Sequence, residues 1–365
     1  MPARVVPDRG PKEASLTNYR TLTVPGFENI LRCRDPESGL NAVIAVHNTT
    51  LGPAMGGCRM WRYASDDEAL ADAQRLARGM TFKAALAGRP LGGGKAVIIG
   101  DPGSDKSAEL FRAFGRAVDH LRGRYITGED VGTSVEDMEA VRSQTRHVAG
   151  LAGGSGDPSS TTALGVLHGI RAAVRHRYGT DTLDGITVAI QGLGHVGLQL
   201  CRLLHDAGAR LVVSDVAPEP VERAADEFGA LAVGPDAIAG AEAEVFAPCA
   251  LGGAVNRAMR SRLRARVVAG AANNQLASPE DGVALHRDGV LYAPDYVINA
   301  GGLINVAQDI LYRGEPYDRA AVAAAVAGIG HRLDAIFEAS ARGGLPPGQV
   351  ADAMARECLA VRAVA

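Results

Sequence analysis

One glycine-rich segment, Gly192-Leu193-Gly194-His195-Val196-Gly197, constrains the fold more than any other part of this 365-residue chain. The apolar run 187–191 before it predicts a buried strand, and the segment itself opens a predicted helix over 195–207. A further predicted strand, 210–214, follows, which gives the alternation of a βαβ unit with parallel strands. Glycines spaced in this way between a strand and a helix are typical of a dinucleotide-binding turn. The second half of the chain is therefore predicted to be an α/β domain of the Rossmann type.

Each glycine of this turn has its own expected task. Gly192 permits the tight turn, Gly194 lets the backbone approach a pyrophosphate, and Gly197 allows the helix to pack closely on the strand. His195 and Val196 open the helix, whose free N–H groups then face the phosphates. The alternative is a glycine turn with a structural role only, in a domain that binds no dinucleotide.

Asp215 ends the next predicted strand, where its carboxylate can accept hydrogen bonds from the hydroxyl groups of an adenosine ribose. The same carboxylate would repel a 2′-phosphate, and Val216 and Ala217 beside it bring no positive charge. Asp215 therefore favours NAD over NADP as the cofactor.

Two lysines in the first half stand in apolar surroundings. Lys83 lies near the end of a helix predicted from Asp66, and Lys95 follows Gly92-Gly93-Gly94, which we expect to form a turn before the strand 96–99. An ammonium group in such a place needs a partner or a lowered pKa. One lysine can then act as a general base and the other can hold a substrate carboxylate. The alternative is that both are solvated surface charges.

Asp130 follows a short predicted strand, 125–127, at the end where α/β sheets usually place their chemistry. It could orient the base or exchange a proton with a reacting amine. The alternative is that Asp130 caps the turn 130–134 before the next helix. Lysines, a carboxylate and a nicotinamide site together indicate amine chemistry coupled to hydride transfer.

Composition excludes several functional classes. Hydrophobic residues make up 47% of the chain, charged residues 22%, and the net charge is -3, so no basic surface suggests nucleic acid or an anionic membrane as a partner. Five cysteines are scattered without a CxxC pair, which predicts buried or half-buried free thiols in a reducing compartment and no metal site. No segment is expected to approach the roughly 20 apolar residues of a membrane span. We therefore expect a cytoplasmic protein with a loosely ordered leader at 1–15.

Several motifs together resemble the amino-acid dehydrogenases, specifically the leucine/phenylalanine/valine dehydrogenase family. The resemblance runs from about residue 20 to the C-terminus. It is carried, in order, by the segments 50–60, 79–83, 92–95, 127–133, 192–197, 247–253, 269–274 and 292–302.

The resemblance implies a two-domain α/β fold with the active site in the cleft between the domains. The substrate domain would span 16–150, the Rossmann domain would span 151–331 after a boundary rich in Gly and Ser, and helices at about 332–365 would return to the first domain. It further implies a homo-oligomer that reversibly deaminates a nonpolar L-amino acid to the 2-oxo acid and ammonia, with NAD as the acceptor.

The same resemblance implies roles for individual residues. Lys95 would be the catalytic base, Lys83 would bind the substrate carboxylate, and Asp130 would be the acid/base partner near the amine. Thr162 and Asn273 would lie beside the cofactor. The remaining residues implied to bind substrate are Gly56, Gly57, Met80, Gly128, Asn299 and Leu303.

The preferred side chain is predicted from two positions. At Gly128 the leucine-preferring relatives tend to carry alanine, and at Leu303 they often carry valine. Glycine at 128 adds room for a ring, so phenylalanine is slightly favoured over leucine and valine. Trp61 and the stretch 130–133 look more like the leucine enzymes, and leucine is the alternative.

Three rival functions remain to be weighed. A non-catalytic NAD-binding sensor would be expected to lack Lys95 or Asp130, and both are present. A hydroxy-acid dehydrogenase would pair a histidine with a carboxylate, whereas the nine histidines here are scattered. A glutamate-specific enzyme would need an added cation for the side-chain carboxylate, and the sequence shows no unassigned candidate.

Overall fold

The computed structural model describes residues 17–151, 155–312 and 315–363. The predicted leader at 1–15 lies outside them. Two sheets, each covered by helices, make up the α/β architecture that the sequence predicts.

The first sheet is mixed and belongs to the N-terminal part of the chain. Its strands lie in the order β1-β2-β3-β6-β4-β7, and β5 also pairs with β6. The strands are β1 (Asn18–Leu22), β2 (Asn29–Asp35), β3 (Leu40–Asn48), β4 (Ala54–Met55), β5 (Cys58–Trp61), β6 (Gly92–Ile99) and β7 (Tyr125–Ile126). Helices α1 (Asp66–Leu86), α2 (Ala108–His120) and α3 (Val135–Arg142) accompany them.

The triglycine segment lies inside a strand, and the predicted turn is wrong. Gly92, Gly93 and Gly94 are the first three residues of β6 and are all buried. A Cβ atom on Gly93 would lie 2.0 Å from the backbone nitrogen of Thr81 in α1, and one on Gly94 would lie 2.8 Å from the Tyr125 ring. Glycine is required because α1 packs directly on the strand backbone. Lys95 is consequently in the middle of a buried strand.

The second sheet is parallel throughout, with the order β10-β9-β8-β11-β12-β13. Its strands are β8 (Thr187–Gln191), β9 (Arg210–Ser214), β10 (Leu231–Ala232), β11 (Val245–Pro248), β12 (Val267–Val268) and β13 (Leu291–Tyr292). The helices of this part are α4 (Ser159–Tyr178), α5 (His195–Asp206), α6 (Pro218–Phe228), α7 (Arg257–Arg260), α8 (Pro279–Arg287), α9 (Asp295–Ile298) and α10 (Gly301–Leu311). The strand order reverses between β8 and β11, and ligands of such sheets bind beside the carboxyl ends of the strands at that point.

Two long helices, α11 (Arg319–Gly343) and α12 (Pro347–Ala363), end the chain. Helix α11 packs on α4, and α12 packs on α1, so the C-terminal segment contacts both halves of the chain. The link is direct at Arg332, whose Nε donates to the backbone oxygen of Leu86 at the end of α1 (3.2 Å).

The expectation that no segment approaches the length and apolar composition of a membrane span is wrong for helix α11. By length and composition it is long and apolar enough to cross a membrane, and it is the one such helix in the described part of the chain. A core helix of a globular protein passes the same test. Its buried side chains, among them Val326, Leu333 and Phe337, belong to the core formed with α4, so packing within the protein accounts for part of its apolar character.

Candidate active site

A cavity of about 290 Å³ lies between the two halves of the molecule. Its wall includes most of the residues predicted to bind or transform a substrate. These are Gly56, Gly57, Met80, Lys83, Lys95, Gly128, Asp130 and Leu303, and Asn273, predicted to lie beside the cofactor, also lines the cavity.

The sheet itself brings the charged residues together. Strands β4 and β5 lie one after the other along β6, separated by Gly56 and Gly57. A Cβ atom on Gly56 would lie 1.8 Å from the backbone oxygen of Gly94, and one on Gly57 would lie 2.3 Å from that of Glu129. Glycine at both positions therefore lets three backbone segments meet beside Lys95.

Lys95 and Asp130 form an ion pair in the wall of the cavity. The Lys95 side chain is 7% exposed, and its Nζ lies 3.1 Å from Oδ2 of Asp130. Burial favours the protonated acid, but the cationic groups of Lys95 and Arg59 outweigh it and hold the pKa of Asp130 below its usual value. The predicted alternative for Asp130 as a helix cap does not hold, because the cap of α3 is Ser134, paired with Asp137.

Lys83 is the cation of the cavity that has no direct partner. Its ammonium forms no hydrogen bond or ion pair with any residue in the described part of the chain, and its electrostatic neighbours are Asp295, Lys95 and Asp130. Burial, the largest effect, and the Lys95 ammonium lower the pKa of Lys83 to about 8, although the two carboxylates act in the opposite direction. A lysine in this state can receive an anionic ligand group such as a carboxylate.

Apart from these charged groups, the cavity wall has a region of apolar side chains. Met55 and Leu303 are almost fully buried, and Met80 and Val306 pack in the same cluster. Leu76 of α1 also lines the cavity. An apolar wall opposite a lysine pair suits a substrate that carries a carboxylate, an amine and a hydrocarbon side chain.

The two predicted asparagines lie at different depths from the cavity. Asn273 lines the cavity, whereas Asn299 is buried behind it and donates from Nδ2 to Oδ1 of Asn273 (2.8 Å) and to the backbone oxygen of Ala271 (3.0 Å). Among the described residues nothing donates to Oδ1 of Asn299. The structure thus places Asn299 where it orients Asn273.

Thr162 also lies one layer behind the cavity. Its hydroxyl donates to the backbone oxygen of Pro158 (2.9 Å), and a Cβ atom on Gly302 would lie 2.8 Å from that hydroxyl oxygen. Because Gly302 lines the cavity next to Leu303, Thr162 supports the wall at the start of α4.

The glycine turn has the geometry of a dinucleotide cradle at the carboxyl end of β8. Gly192 has a φ of +99°, and a Cβ atom on Gly197 would lie 2.0 Å from the backbone oxygen of Gly192. A Cβ atom on Gly194 would meet no described atom within 4 Å, so the backbone there is open to an approaching group. Helix α5 begins at His195 and Val196 without a side-chain cap. These features fit the pyrophosphate of a dinucleotide.

Asp215 is tied to this turn. Its Oδ2 accepts from the backbone N–H of Leu193 (2.6 Å), and its Oδ1 accepts from that of Ala217 (2.9 Å). Burial opposes ionisation, but these backbone N–H groups hold the pKa of Asp215 below its usual value. The carboxylate is therefore ionised and fixed beside the cradle.

Sequence reasoning missed two arginines in the cavity wall. Arg59 and Arg75 both line it, so the expectation of no unassigned cation is wrong. Both guanidinium groups have carboxylate partners, because Arg59 binds Asp130 and Asp72, and Arg75 binds Asp72. Arg59 lies in one of the quoted motifs, but its partners are distant in sequence and no local pattern indicates them.

Other side chains bear on the expected chemistry. The five cysteines are free thiols, buried or half-buried as predicted. In the described part of the chain no group of three or more His, Cys, Asp or Glu side chains is placed to hold a metal ion.

Comparison with known proteins agrees with this geometry. The family model for the dimerisation domain of Glu/Leu/Phe/Val dehydrogenases matches residues 27–147, and the Glutamate/Leucine/Phenylalanine/Valine dehydrogenase model matches 153–218 and 221–314. A leucine dehydrogenase of Geobacillus stearothermophilus is 52% identical over 342 residues, which cover 93% of this chain and 92% of that protein. A phenylalanine dehydrogenase of Caldalkalibacillus thermarum is 49% identical over 291 residues, 78% of this chain and 79% of that protein.

The structural comparison gives the same answer. The crystal structure of L-tryptophan dehydrogenase from Nostoc punctiforme superposes with a TM-score of 0.81 and 43% sequence identity, over 92% of this chain and 97% of that chain. The chain therefore belongs to the glutamate/leucine/phenylalanine/valine dehydrogenase family of oxidoreductases.

Proposed function

We propose that this protein is an NAD-dependent leucine dehydrogenase, which reversibly converts leucine and related branched-chain L-amino acids to the 2-oxo acid and ammonia. The observation that carries the proposal is the convergence of Lys83, Lys95 and Asp130 on one cavity with an apolar wall. A non-catalytic sensor would have no need of an ion pair and an unpaired lysine in one cavity.

The charged groups divide the work. The Lys83 ammonium, which has no protein partner, binds the substrate carboxylate. Asp130 keeps one oxygen on Lys95 and exchanges a proton with the substrate amine. Lys95 acts as the base in its neutral form: after its ammonium has released a proton to solvent, it takes a proton from the water that attacks the imino carbon. Gly192, Gly194 and Gly197 with the start of α5 would hold the dinucleotide, and the chemistry that a bound NAD supplies is hydride acceptance from the α-carbon.

The choice of leucine over phenylalanine follows from two observations. The leucine dehydrogenase described above is similar to this chain over nearly its whole length. This similarity supports leucine, the alternative substrate in the sequence analysis, better than it supports phenylalanine. The cavity of about 290 Å³ is at the small end of the ~300–1,000 Å³ range of ligand pockets, which suits an aliphatic side chain.

Gly128 is the residue that most favours an aromatic substrate. A Cβ atom there would meet a single described atom, the backbone oxygen of Ala149, at 3.3 Å. The missing methyl group thus leaves space next to the backbone at 149, and glycine at this position also serves the close approach of two backbone segments.

Steady-state kinetics with leucine, valine, isoleucine, phenylalanine and tryptophan test the proposal. Leucine should have the highest kcat/KM, and phenylalanine should be about tenfold or more lower, since differences of one or a few methylene groups are worth ~10–200-fold in an apolar pocket. A higher kcat/KM for phenylalanine than for leucine would contradict leucine as the preferred substrate. With glutamate included in the same assay, activity with glutamate alone would refute an apolar pocket.

The preference for NAD is tested at Asp215. The unmodified enzyme should use NAD in preference to NADP, and Asp215→Ser should narrow the difference by removing the repulsion of the 2′-phosphate. Equal use of both cofactors by the unmodified enzyme would contradict the role proposed for Asp215.

We further propose the division of the chain into a substrate domain at 16–150 and a cofactor domain at 151–331. Separate sheets in the two halves support it, and the packing of α12 on α1 supports the return of the C-terminal helices, although α11 runs unbroken through residue 332. A homo-oligomer is proposed from the match to a dimerisation domain. A cytoplasmic location stays a prediction, supported by the free thiols.

A further inference from the structure

Arg59 has no role in the mechanism above, yet it contacts the centre of the site. It lies in β5, opposite Val97 of β6, and its side chain is 17% exposed. Its Nε donates to Oδ2 of Asp130 at 3.0 Å, the same oxygen that lies 3.1 Å from Nζ of Lys95. Two cations therefore share one carboxylate oxygen.

The far side of the Arg59 guanidinium is anchored on another element. NH1 of Arg59 donates to Oδ2 of Asp72 in α1 (3.1 Å), and the Asp72 side chain is 15% exposed. The same Asp72 oxygen accepts from the hydroxyl of Tyr63 (2.7 Å), and its Oδ1 accepts from Arg75. Asp72 is thus held by two other side chains, Tyr63 and Arg75, in addition to Arg59.

We propose that Arg59 is a positioning residue for the deamination, acting as a rigid bridge from Asp72 to Asp130 that sets the orientation of the Asp130 carboxylate. The bridge occupies Oδ2 and leaves Oδ1 of Asp130 without a hydrogen bond or ion pair from any described residue, available to the substrate amine. This inference rests on the proposed function, because it assigns Arg59 to the same reaction.

The chemistry of the guanidinium explains why arginine stands here. Its planar group carries donors in fixed directions and can bind two carboxylates at once, whereas the ammonium of a lysine is a single point of charge. Hydrogen bonds between charged, largely buried groups are short and directional. A side chain without this group would leave Asp130 held by Lys95 alone.

Removing Arg59 also changes the pH range over which Asp130 is ionised. Burial favours the protonated acid and the two cations favour the carboxylate, so the loss of one cation raises the pKa of Asp130. If the carboxylate must be ionised for turnover, the acidic limb of the pH profile then moves to higher pH. The titratable and charged groups around Asp130 are Lys95 on β6, Arg59 and Cys58 on β5, Lys83 on α1, Tyr125 on β7 and the adjacent Glu129.

The test compares Arg59→Met and Arg59→Lys with a control, Arg62→Met. Arg62 is close in sequence, but its side chain is 75% exposed and binds Asp101 on the surface.

Arg59→Met should lower kcat for leucine by about 10–100-fold, since misplacement of a reacting group by about 1 Å can cost ~10²-fold. KM for NAD should not change. The acidic limb should move up by about one pH unit or more, the size of shift expected from one nearby opposite charge. Arg62→Met should show none of these effects.

The bridge itself is tested by a double-mutant cycle with Asp72→Asn. Asp72→Asn alone should lower kcat in the same direction, and Arg59→Met with Asp72→Asn should be no slower than Arg59→Met, because the two substitutions break the same bridge. If the two losses multiply, or if Arg59→Met lowers kcat without moving the acidic limb, the positioning role is wrong. Should Arg59→Met fail to fold by circular dichroism, Asp72→Asn and Arg59→Lys still test the bridge. Both should lower kcat relative to Arg62→Met, and Arg59→Lys, which keeps the charge but loses the fixed fork of donors, should move the acidic limb little. An inactive wild-type enzyme would refute the proposed function, whereas an active wild type with Arg59→Met equal to Arg62→Met would refute only this inference.

Discussion

Lys83 offers a prediction that isolates one charged group of the site. If its ammonium binds the substrate carboxylate, a carboxylate ligand without an amine should bind only while Lys83 is protonated. A suitable ligand is 4-methylpentanoate, the leucine analogue that lacks the amino group and stays ionised throughout the range tested. Its inhibition constant then follows the charge of Lys83.

The structure sets the size of the effect. Lys83 has a pKa of about 8, lowered mainly by burial. The charged fraction of the free enzyme is therefore about one half at pH 8, about 9% at pH 9 and about 1% at pH 10. The sign is fixed, because a lysine loses its charge as the pH rises through its pKa. The inhibition constant should be nearly constant below pH 7 and should rise about tenfold per unit above pH 8.

The assay is competitive inhibition of leucine oxidation at saturating NAD between pH 6.5 and 10, with two variants as controls. Lys83→Met should bind the inhibitor about 10–150-fold more weakly at pH 7, the loss of a charged hydrogen bond of ~1.5–3 kcal/mol, and without pH dependence. Lys83→Arg, which stays charged, should show a flat profile at every pH. An inhibition constant of the unmodified enzyme that does not change between pH 7 and 10 would refute the reasoning about Lys83.

Three further predictions concern single residues. Lys95→Met should lower kcat by ~10²–10⁴-fold while NAD binding, measured by calorimetry, stays near normal, and a variant with normal kcat would remove the proposed base. Gly194→Ala should weaken NAD binding with little change in thermal stability, because the added methyl group meets no described atom within 4 Å and can only crowd an incoming ligand; unchanged NAD affinity would contradict the cradle. Gly93→Ala should destabilise the fold by about 1–3 kcal/mol or more in thermal unfolding, since its Cβ would lie 2.0 Å from the Thr81 backbone, whereas Gly328→Ala in open space on α11 should be neutral or stabilising.

The parts of the fold that sequence predicts well are those fixed by local contacts. The turn from Gly192 to Gly197 is one of them, because a Cβ atom on Gly197 would meet the backbone oxygen of Gly192 in the same short segment. The helix from Asp66 is another, since its apolar period and the capping side chain of Ser65 are both local.

The triglycine segment shows why other predictions fail. Locally, three glycines before a strand indicate a turn, and only the approach of Thr81 from a separate helix reveals that they belong to the strand. Strands β1 and β2 were not predicted either, because they pair with each other and with β3 through contacts that their own residues do not specify.

Some residues of the candidate site could be identified from sequence motifs, and others only from the structure. Lys83, Lys95 and Asp130 could be identified because each stands in a recognisable motif. The bridge from Asp130 through Arg59 to Asp72 could not be identified, because it joins residues 71 and 13 positions apart in sequence by side-chain contacts alone. Asn299 was assigned to the substrate, whereas burial places it behind Asn273.

The central claim is that this site oxidatively deaminates leucine, and the most direct test is the balance of products. The purified protein should be incubated with leucine and NAD at alkaline pH, and NADH, ammonia and 4-methyl-2-oxopentanoate should each be quantified. The account predicts that the three appear in equal amounts and that Lys95→Met forms none of them at a comparable rate. NADH without ammonia, or no NADH with leucine, would contradict it.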